Sequence, residues 1–135
     1  MSGIAAWLDN WARAIRERDF AGARPLFAED VMAFGSLSSA MTDRDTLEHD
    51  QWRPIWSRTR GFRFDDWAVI SDQEGEAVVA CTWSSEGDGG AGKWYPRQGR
   101  ATLVLRQQGD GYVCIHSHFS MMPGTEPLQG REALR

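Results

Sequence analysis

Two histidines near the C-terminal end of the chain have the spacing of a possible chemical site. His116 and His118 are two residues apart in an apolar, strand-like run, and side chains two residues apart on a strand point to the same face. Such a pair could bind a metal ion or exchange protons near neutral pH. A zinc site needs a third ligand, however, and nothing in the spacing brings the remaining histidine, His49, to the pair. We therefore expect neither a metal nor another cofactor, and acid–base chemistry at His116 or His118 is kept as an alternative.

The face of that strand opposite the histidines is the more apolar one. It carries Val113, Ile115, Ser117, Phe119 and Met121. Because an amphipathic strand buries its more apolar face, we expect these residues to face the interior and the histidines to lie on the outer face of a sheet. Ser117 is then a polar group expected inside, where it could orient a ligand or bond to a neighbouring strand. This placement favours a structural or interface role for the histidines over catalysis.

Other motifs that could carry chemistry are weaker. Asp65 and Asp66 are adjacent, so on a strand they point to opposite faces and do not converge on one substrate as paired carboxylates must. The glycine-rich segment 86–94 lacks the order of a phosphate-binding loop and is typical of a flexible hairpin. No Ser–His–Asp or Cys–His set can be assembled from the spacing.

Tryptophan is unusually frequent, with seven in 135 residues. Trp7 and Trp11 fall on an apolar helical stripe and are expected in the core. The aromatic side chains expected at a ligand pocket are Phe34, Trp56, Trp83, Trp94 and Phe119. They could bind a flat or hydrophobic molecule, or they could simply fill the interior. Both interpretations stay open.

The elements that position these residues are helices first and strands afterwards. Apolar residues at spacings of three and four over 4–15 predict the first helix. A second short helix is expected over 20–28, a strand over 29–34, and a third helix, capped by Asp43 or Thr42, that Pro54 must kink or split. Period-two patterns then predict strands near 61–70, 76–86, 99–108 and 112–121. This order predicts an α+β domain in which about three helices pack on one face of a sheet.

Composition limits the class of protein. The chain has 135 residues, of which 41% are hydrophobic and 25% charged, enough for one domain with its own core. Its net charge of −4 argues against nucleic acid and membrane partners, and no run approaches the roughly 18 apolar residues of a membrane span. Cys81 and Cys114 are isolated and are expected to be buried thiols. Because no signal-peptide pattern begins the sequence, we expect a cytoplasmic protein.

Three segments of the chain resemble one known superfamily. They are the helical lead followed by 23–35, the G-R-x-T-x-V-x-R strand at Gly99–Arg106, and the H-x-H-F-S ending at His116–Ser120. In these segments the chain is similar to the nuclear transport factor 2-like superfamily, in particular to SnoaL-like and ketosteroid isomerase-like proteins of unknown function. The resemblance implies a cystatin-like fold, with a cone-shaped curved sheet wrapped around the helices, a pocket at its open end and usually a homodimer. We expect one SnoaL-like domain over 1–122 and a loosely held C-terminal tail over 123–135.

The resemblance also bears on the chemistry of the pocket. The catalytic base of the steroid isomerases corresponds to Gly35 here, and their oxyanion-hole acid corresponds to about Leu103. Neither side chain can replace those groups, which disfavours the steroid-isomerase mechanism. The pocket arginines of the calcium/calmodulin-dependent kinase association domain fall near Trp83, Leu103 and Phe119. All three are apolar, which disfavours an anion-binding pocket.

Three functions therefore stay open. The first is a homodimeric domain that binds an unknown small hydrophobic molecule, with no catalytic residue assigned. Its ligand pocket is expected to be lined by Phe34, Trp56, Trp83, Trp94, Leu103, Ser117 and Phe119. The alternatives are an enzyme of the lyase, isomerase or cyclase type that uses His116 or His118, and a structural association module.

Overall fold

The first helix buries the apolar stripe that the sequence predicts. In the computed structural model, which describes residues 3–36 and 38–124, α1 spans Ile4–Glu17 and buries Trp11 and Ile15 among others. Arg18 ends the helix in the left-handed region (φ 55°), where its backbone N–H bonds carbonyl groups of the last turn. The guanidinium of Arg18 donates at 2.9 Å to the carbonyl oxygens of Trp56 and Thr59. These bonds attach the end of α1 to the start of the sheet.

Short helical segments connect α1 to the first strand. Helix α2 spans Phe20–Ala23 and is followed by a 3-10 turn over Arg24–Leu26. Pro25 has no N–H with which to continue the hydrogen bonds of α2. Strand β1 spans Phe27–Phe34, so the helix predicted over 20–28 is too long, and the strand begins two residues before its predicted start.

The third predicted helix is one helical rod in three parts. Helix α3 spans Arg44–Leu47, Glu48–Trp52 winds as a π-helix, and α4 spans Arg53–Trp56. The carboxylate of Asp43 caps its start with a hydrogen bond of 2.7 Å. The wide π turn lies just before Pro54. Pro54 has no N–H and cannot donate the usual helical hydrogen bond, and the π turn accommodates this missing bond. The proline therefore divides the rod without ending it.

Six strands form one curved, mixed sheet in the order β2-β1-β6-β5-β4-β3. The strands after β1 are β2 (Ala40–Met41), β3 (Thr59–Gln73), β4 (Glu76–Asp88), β5 (Trp94–Gln108) and β6 (Gly111–Met121). Strands β3 to β6 form an antiparallel meander, whereas β1 runs parallel to β6. The sheet stays open, with β2 and β3 as its edges. The four late strands are present, although β3 and β5 begin earlier than predicted. The short β2 has no predicted counterpart, and the predicted tail lies outside the described residues after 124.

An extra residue in β6 changes which of its side chains face inward. His116 and Cys114 pair with consecutive residues of β5, so Ile115 is inserted between them as a bulge. Cys114 is fully buried on the inner face. The expectation that Val113 and Ile115 face the interior is therefore wrong, because both are only partly buried. Beyond the bulge the pattern is as expected, with Ser117 buried.

The helices cover the inner face of the sheet and enclose an aromatic core. Helix α1 packs against β3 and β6. The ring of Trp11 lies 4.8 Å from that of Phe27 and 5.3 Å from that of Phe119. The indoles of Trp52 and Trp56 stack on each other at 5.0 Å. This is the predicted α+β architecture, a curved sheet wrapped around three helical elements.

Candidate functional site

A solvent-open cavity lies between the helices and the inner face of the sheet. It is located where the C-terminal ends of β1, β4 and β6 meet the N-terminal ends of β3 and β5. Its aromatic walls are Trp11, Phe34, Trp52, Trp56, Phe62, Trp83 and Phe119. Its polar side chains are Ser36, Gln51, Thr59, Arg97 and Ser117. Every strand except β2 contributes to this end of the sheet, which is why the lining is scattered along the sequence.

The enclosed part of the cavity is narrow. A water-sized sphere has about 50 Å³ of room inside it, while the space between the walls, including the part open to solvent, is about 560 Å³. Pockets for small organic molecules typically measure about 300–1,000 Å³. A ligand therefore has to use the open mouth as well as the enclosed part. A flat molecule fits between aromatic walls of this kind better than a bulky one.

The cavity wall holds a buried positive charge at Arg97. This residue is only 4% exposed. Its Nη2 lies 3.3 Å from the Sδ of Met121, and its Cζ lies 5.5 Å from the ring centre of Trp83. A guanidinium does not lose its proton in proteins, so the charge is permanent. The sequence-based argument against an anion-binding pocket considered Trp83, Leu103 and Phe119 and did not include Arg97, which lines the cavity.

The predicted limits of β5 explain why sequence reasoning missed Arg97. The predicted strand starts at residue 99, but β5 begins at Trp94. Inward-facing residues alternate along a strand, and on β5 the buried series Leu103, Ala101 and Gly99 continues to Arg97. Extending the alternation by one further step toward the N-terminus is the signal that would have found it.

An amide lies beside Gly35, the position that the resemblance aligns with the base of the steroid isomerases. Gly35 lines the cavity, and the side-chain amide of Gln51 fills the space that a Cβ on residue 35 would need. The Nε2 of Gln51 lies 3.5 Å from the Oγ of Ser36. An amide can donate and accept hydrogen bonds, but it cannot take a proton as a carboxylate base does. Leu103 is fully buried beneath the cavity and is not part of its wall.

Two tryptophans of α1 differ in the partners of their indole N–H groups. The Nε1 of Trp7 donates to the carbonyl oxygen of Leu26 at 3.1 Å. The Nε1 of Trp11 is buried at the cavity wall and has no hydrogen-bond partner among the residues that the structure describes. A buried donor without a partner costs about 1–3 kcal/mol. A water or ligand acceptor beside Trp11 would therefore be stabilising.

Five of the seven residues predicted to line a ligand pocket line this cavity. They are Phe34, Trp56, Trp83, Ser117 and Phe119. Leu103 lies in the core, as described above. Trp94 is the first residue of β5 and is 36% exposed. The Cζ of Arg60 lies over its ring, 4.1 Å from the ring centre. The structure therefore does not bring Trp94 or Leu103 to the cavity.

His116 and His118 lie on the outer face of the sheet, away from the cavity lining. Their rings meet the ring of Phe34 edge-on at 5.2 and 5.3 Å, and Phe34 also lines the cavity. The Nδ1 of His116 lies 2.8 Å from the carbonyl oxygen of Met32 and donates to it. Within 3–36 and 38–124, no three His, Cys, Asp or Glu side chains come together as metal ligands would. Acid–base chemistry at these histidines would have to take place outside the cavity.

Three buried titratable residues, Glu48, Cys81 and Cys114, are not among the residues that line the cavity. The carboxylate of Glu48 accepts hydrogen bonds from Arg24 at 2.7 Å and from Arg53 at 2.6 Å. The bond from Arg24 is the main reason that the pKa of Glu48 lies below its usual range. Burial raises the pKa of the Cys81 thiol to about 12 and also raises the pKa of Cys114. Both thiols are therefore protonated and unreactive near neutral pH.

Solved structures of other proteins share this architecture. A protein from Xanthomonas campestris, named as a candidate calcium/calmodulin-dependent protein kinase II association domain, has a TM-score of 0.78 and 21% identity over 90% of this chain and 87% of that chain. A Caulobacter vibrioides protein with a cystatin-like fold has a TM-score of 0.73 and 15% identity, covering 90% and 88%. A candidate dehydratase of the NTF2-like family from Streptomyces avermitilis has a TM-score of 0.73 and 20% identity, covering 88% and 93%. These likenesses define a cystatin-like, NTF2-like fold.

A comparison with models of protein families is more specific than the likeness in fold. Residues 4–124 match the model of the SnoaL-like domain. The chain therefore belongs to the SnoaL-like domain family, and the resemblance expected from its sequence segments is confirmed. No curated protein matches the sequence. In the described part of the chain, no helix has both the length and the apolar character needed to cross a membrane.

Proposed function

We propose that this SnoaL-like domain binds a small, flat, largely apolar molecule in its aromatic cavity. The observation that carries the proposal is the lining: seven of the sixteen lining residues are aromatic, and none of the sixteen is Asp, Glu, His, Cys or Lys. Such a wall attracts apolar rings. It offers no side chain that titrates near neutral pH and could exchange a proton with a substrate. Binding therefore explains the lining better than acid–base catalysis does.

The arrangement of the rings supports a planar ligand. Phe62 stacks on Trp83 with ring centres 5.5 Å apart and an interplanar angle of 29°. Phe119 lies 5.9 Å from Trp83 on the neighbouring part of the wall. Ser117 lies deeper along β6 and is buried. A ligand ring can lie against Trp83 and Phe119 with its deep end toward the Ser117 hydroxyl.

Tryptophan fluorescence tests this proposal, because several indoles line the cavity. Benzamide, a neutral planar probe, should change the emission saturably and raise Tm. Ser117→Met extends a longer side chain into the cavity and should weaken probe binding about tenfold or more. Ser120→Met is the matched control, since it makes the same change on the opposite face of β6 and should leave binding unchanged. Equal binding by the two variants, or no binding to the wild-type protein, would show that the proposal is wrong.

We infer further that the domain assembles as a homodimer through the outer face of its sheet. Met32 is 46% exposed there, and its carbonyl group accepts the hydrogen bond from His116. An exposed thioether next to aromatic and imidazole rings is typical of an interface residue. The Xanthomonas campestris protein named as an association domain supports this second candidate function. A cytoplasmic location also remains a proposal, supported by two free, buried cysteines.

A further inference from the structure

The pairing of β4 with β5 places their inward-facing residues in rows that run across the two strands. Ser85 and Arg97 face each other across β4 and β5, and Trp83 and Gly99 form the next row inward. Successive rows on one face of a strand are roughly 7 Å apart. The Cζ of Arg97 lies 5.5 Å from the ring centre of Trp83. A ligand ring that lies against Trp83 therefore has its substituents within reach of the guanidinium.

The surroundings of Arg97 make its charge effective toward a bound anion. The side chain is buried, and charges interact more strongly in a protein interior than in water because the effective dielectric constant is lower. The guanidinium has a planar fork of N–H donors that matches the two oxygens of a carboxylate. None of the sixteen residues that line the cavity is Asp or Glu, so an entering carboxylate meets no like charge in the lining.

A second polar residue is the register partner of Arg97. Ser85, opposite Arg97 in the same row, is buried, and its Oγ has no hydrogen-bond partner within the described ranges. Buried hydroxyls normally have a partner, so the Ser85 hydroxyl has an unused donor in the row of Arg97. Ser85 does not line the cavity, so it is the guanidinium of Arg97 that favours an acceptor with negative charge there.

We propose that the ligand of this cavity is an aromatic carboxylate, whose carboxylate binds Arg97 while its ring lies against Trp83 and Phe119. The inference rests on the proposed function, because it assigns a chemical class to the ligand of the same cavity. Arg97 is then the residue that determines specificity for the anion. The aromatic wall supplies affinity for the ring, whether or not the ring is charged.

Benzoate and benzamide test the inference, because they have nearly the same shape and differ in charge. We expect the wild-type protein to bind benzoate about 10- to 100-fold more tightly than benzamide in fluorescence titrations. Arg97→Met should remove that preference, so that the ratio of benzoate to benzamide affinity falls to about one, whatever the change in the affinity for benzamide itself. Arg100→Met is the matched control on the same strand, because Arg100 is on the outer face and exposed, and this variant should keep the preference.

Each outcome has a defined meaning. Equal binding of the two probes to the wild-type protein, or a preference for benzoate that survives Arg97→Met, overturns the carboxylate inference and leaves the proposed function standing. Failure of both probes to bind overturns both proposals. If Arg97→Met does not fold, Arg97→Lys keeps the charge without the planar fork and should weaken benzoate alone. An unchanged ratio in that variant also overturns the inference.

Discussion

The indole of Trp83 lies against the backbone of β5 at Gly99, in the space that a Cβ on residue 99 would occupy. The two residues are register partners across β4 and β5, and a Cβ built on Gly99 would collide with the six-membered ring of Trp83 and with the carbonyl oxygen of Ser120. The Nε1 of Trp83 reaches the carbonyl oxygen of the next residue, Arg100, at 3.3 Å. The glycine that begins the G-R-x-T-x-V-x-R segment is therefore required by the position of a cavity wall residue.

Gly99→Ala should destabilise the protein and displace Trp83. Overpacking of a buried site typically costs about 1–3 kcal/mol, and here one of the two obstacles is backbone that cannot rotate away. Urea unfolding should show a lower midpoint, and the tryptophan emission of the folded state should shift. Thr102→Ala, at an exposed position of the same strand, should stay within about 0.5 kcal/mol of the wild-type protein. A Gly99→Ala protein with wild-type stability and emission would contradict the packing described above.

Glu48→Gln should lower the free energy of unfolding at neutral pH. It should also make that free energy change less as the pH falls into the acid range. The side chain of Glu48 is 12% exposed, and it joins Arg24 before β1 to Arg53 in α4. Because the Arg24 hydrogen bond chiefly lowers the pKa of Glu48 in the folded protein, the carboxylate stabilises the fold above its unfolded pKa. That stabilisation is lost as the pH falls through the folded pKa, below about 4.5. We expect a loss of about 1–3 kcal/mol at neutral pH.

Urea unfolding over a series of pH values measures this effect. The difference between the wild-type protein and Glu48→Gln should be largest at neutral pH and should shrink in acid. Glu29→Gln is the control, because that side chain is 89% exposed and lies 3.8 Å from Arg44, where an ion pair contributes little. A difference that stays constant with pH would show that the loss at Glu48 comes from packing rather than from its charge.

Met32→Asp should convert the proposed homodimer to a monomer. A carboxylate on this exposed position of the outer face would be buried against a second copy without a partner, which is costly. Light scattering coupled to size exclusion measures the mass directly. Ile70→Asp, at a large hydrophobic residue that is 67% exposed on the edge strand β3, should leave the mass of the dimer unchanged. A wild-type protein that is already monomeric, or a Met32→Asp dimer, would contradict the proposed interface.

Much of the fold follows from local patterns in the sequence. The stripe around Trp11 and Ile15 predicts α1 because a helix buries every third or fourth residue. The period-two segments after residue 60 predict the meander because hydrogen-bonded strands alternate their faces. Local patterns are less reliable at the ends of elements. Pro25 and the π turn before Pro54 changed the helical limits, since these depend on individual backbone hydrogen bonds.

The sequence alone determined that Gly35 and Leu103, the positions that the resemblance aligns with the catalytic acids of the steroid isomerases, have no ionisable side chain. Only the tertiary structure decided which groups are present in the cavity. It placed Arg97 in the wall by starting β5 five residues early, and it filled the space at Gly35 with the Gln51 amide. It also reset the inner face of β6 through the bulge at Ile115. The physical reason is that one residue of register moves every side chain of a strand to the other face, and register is set by pairing between strands rather than by either strand's own sequence.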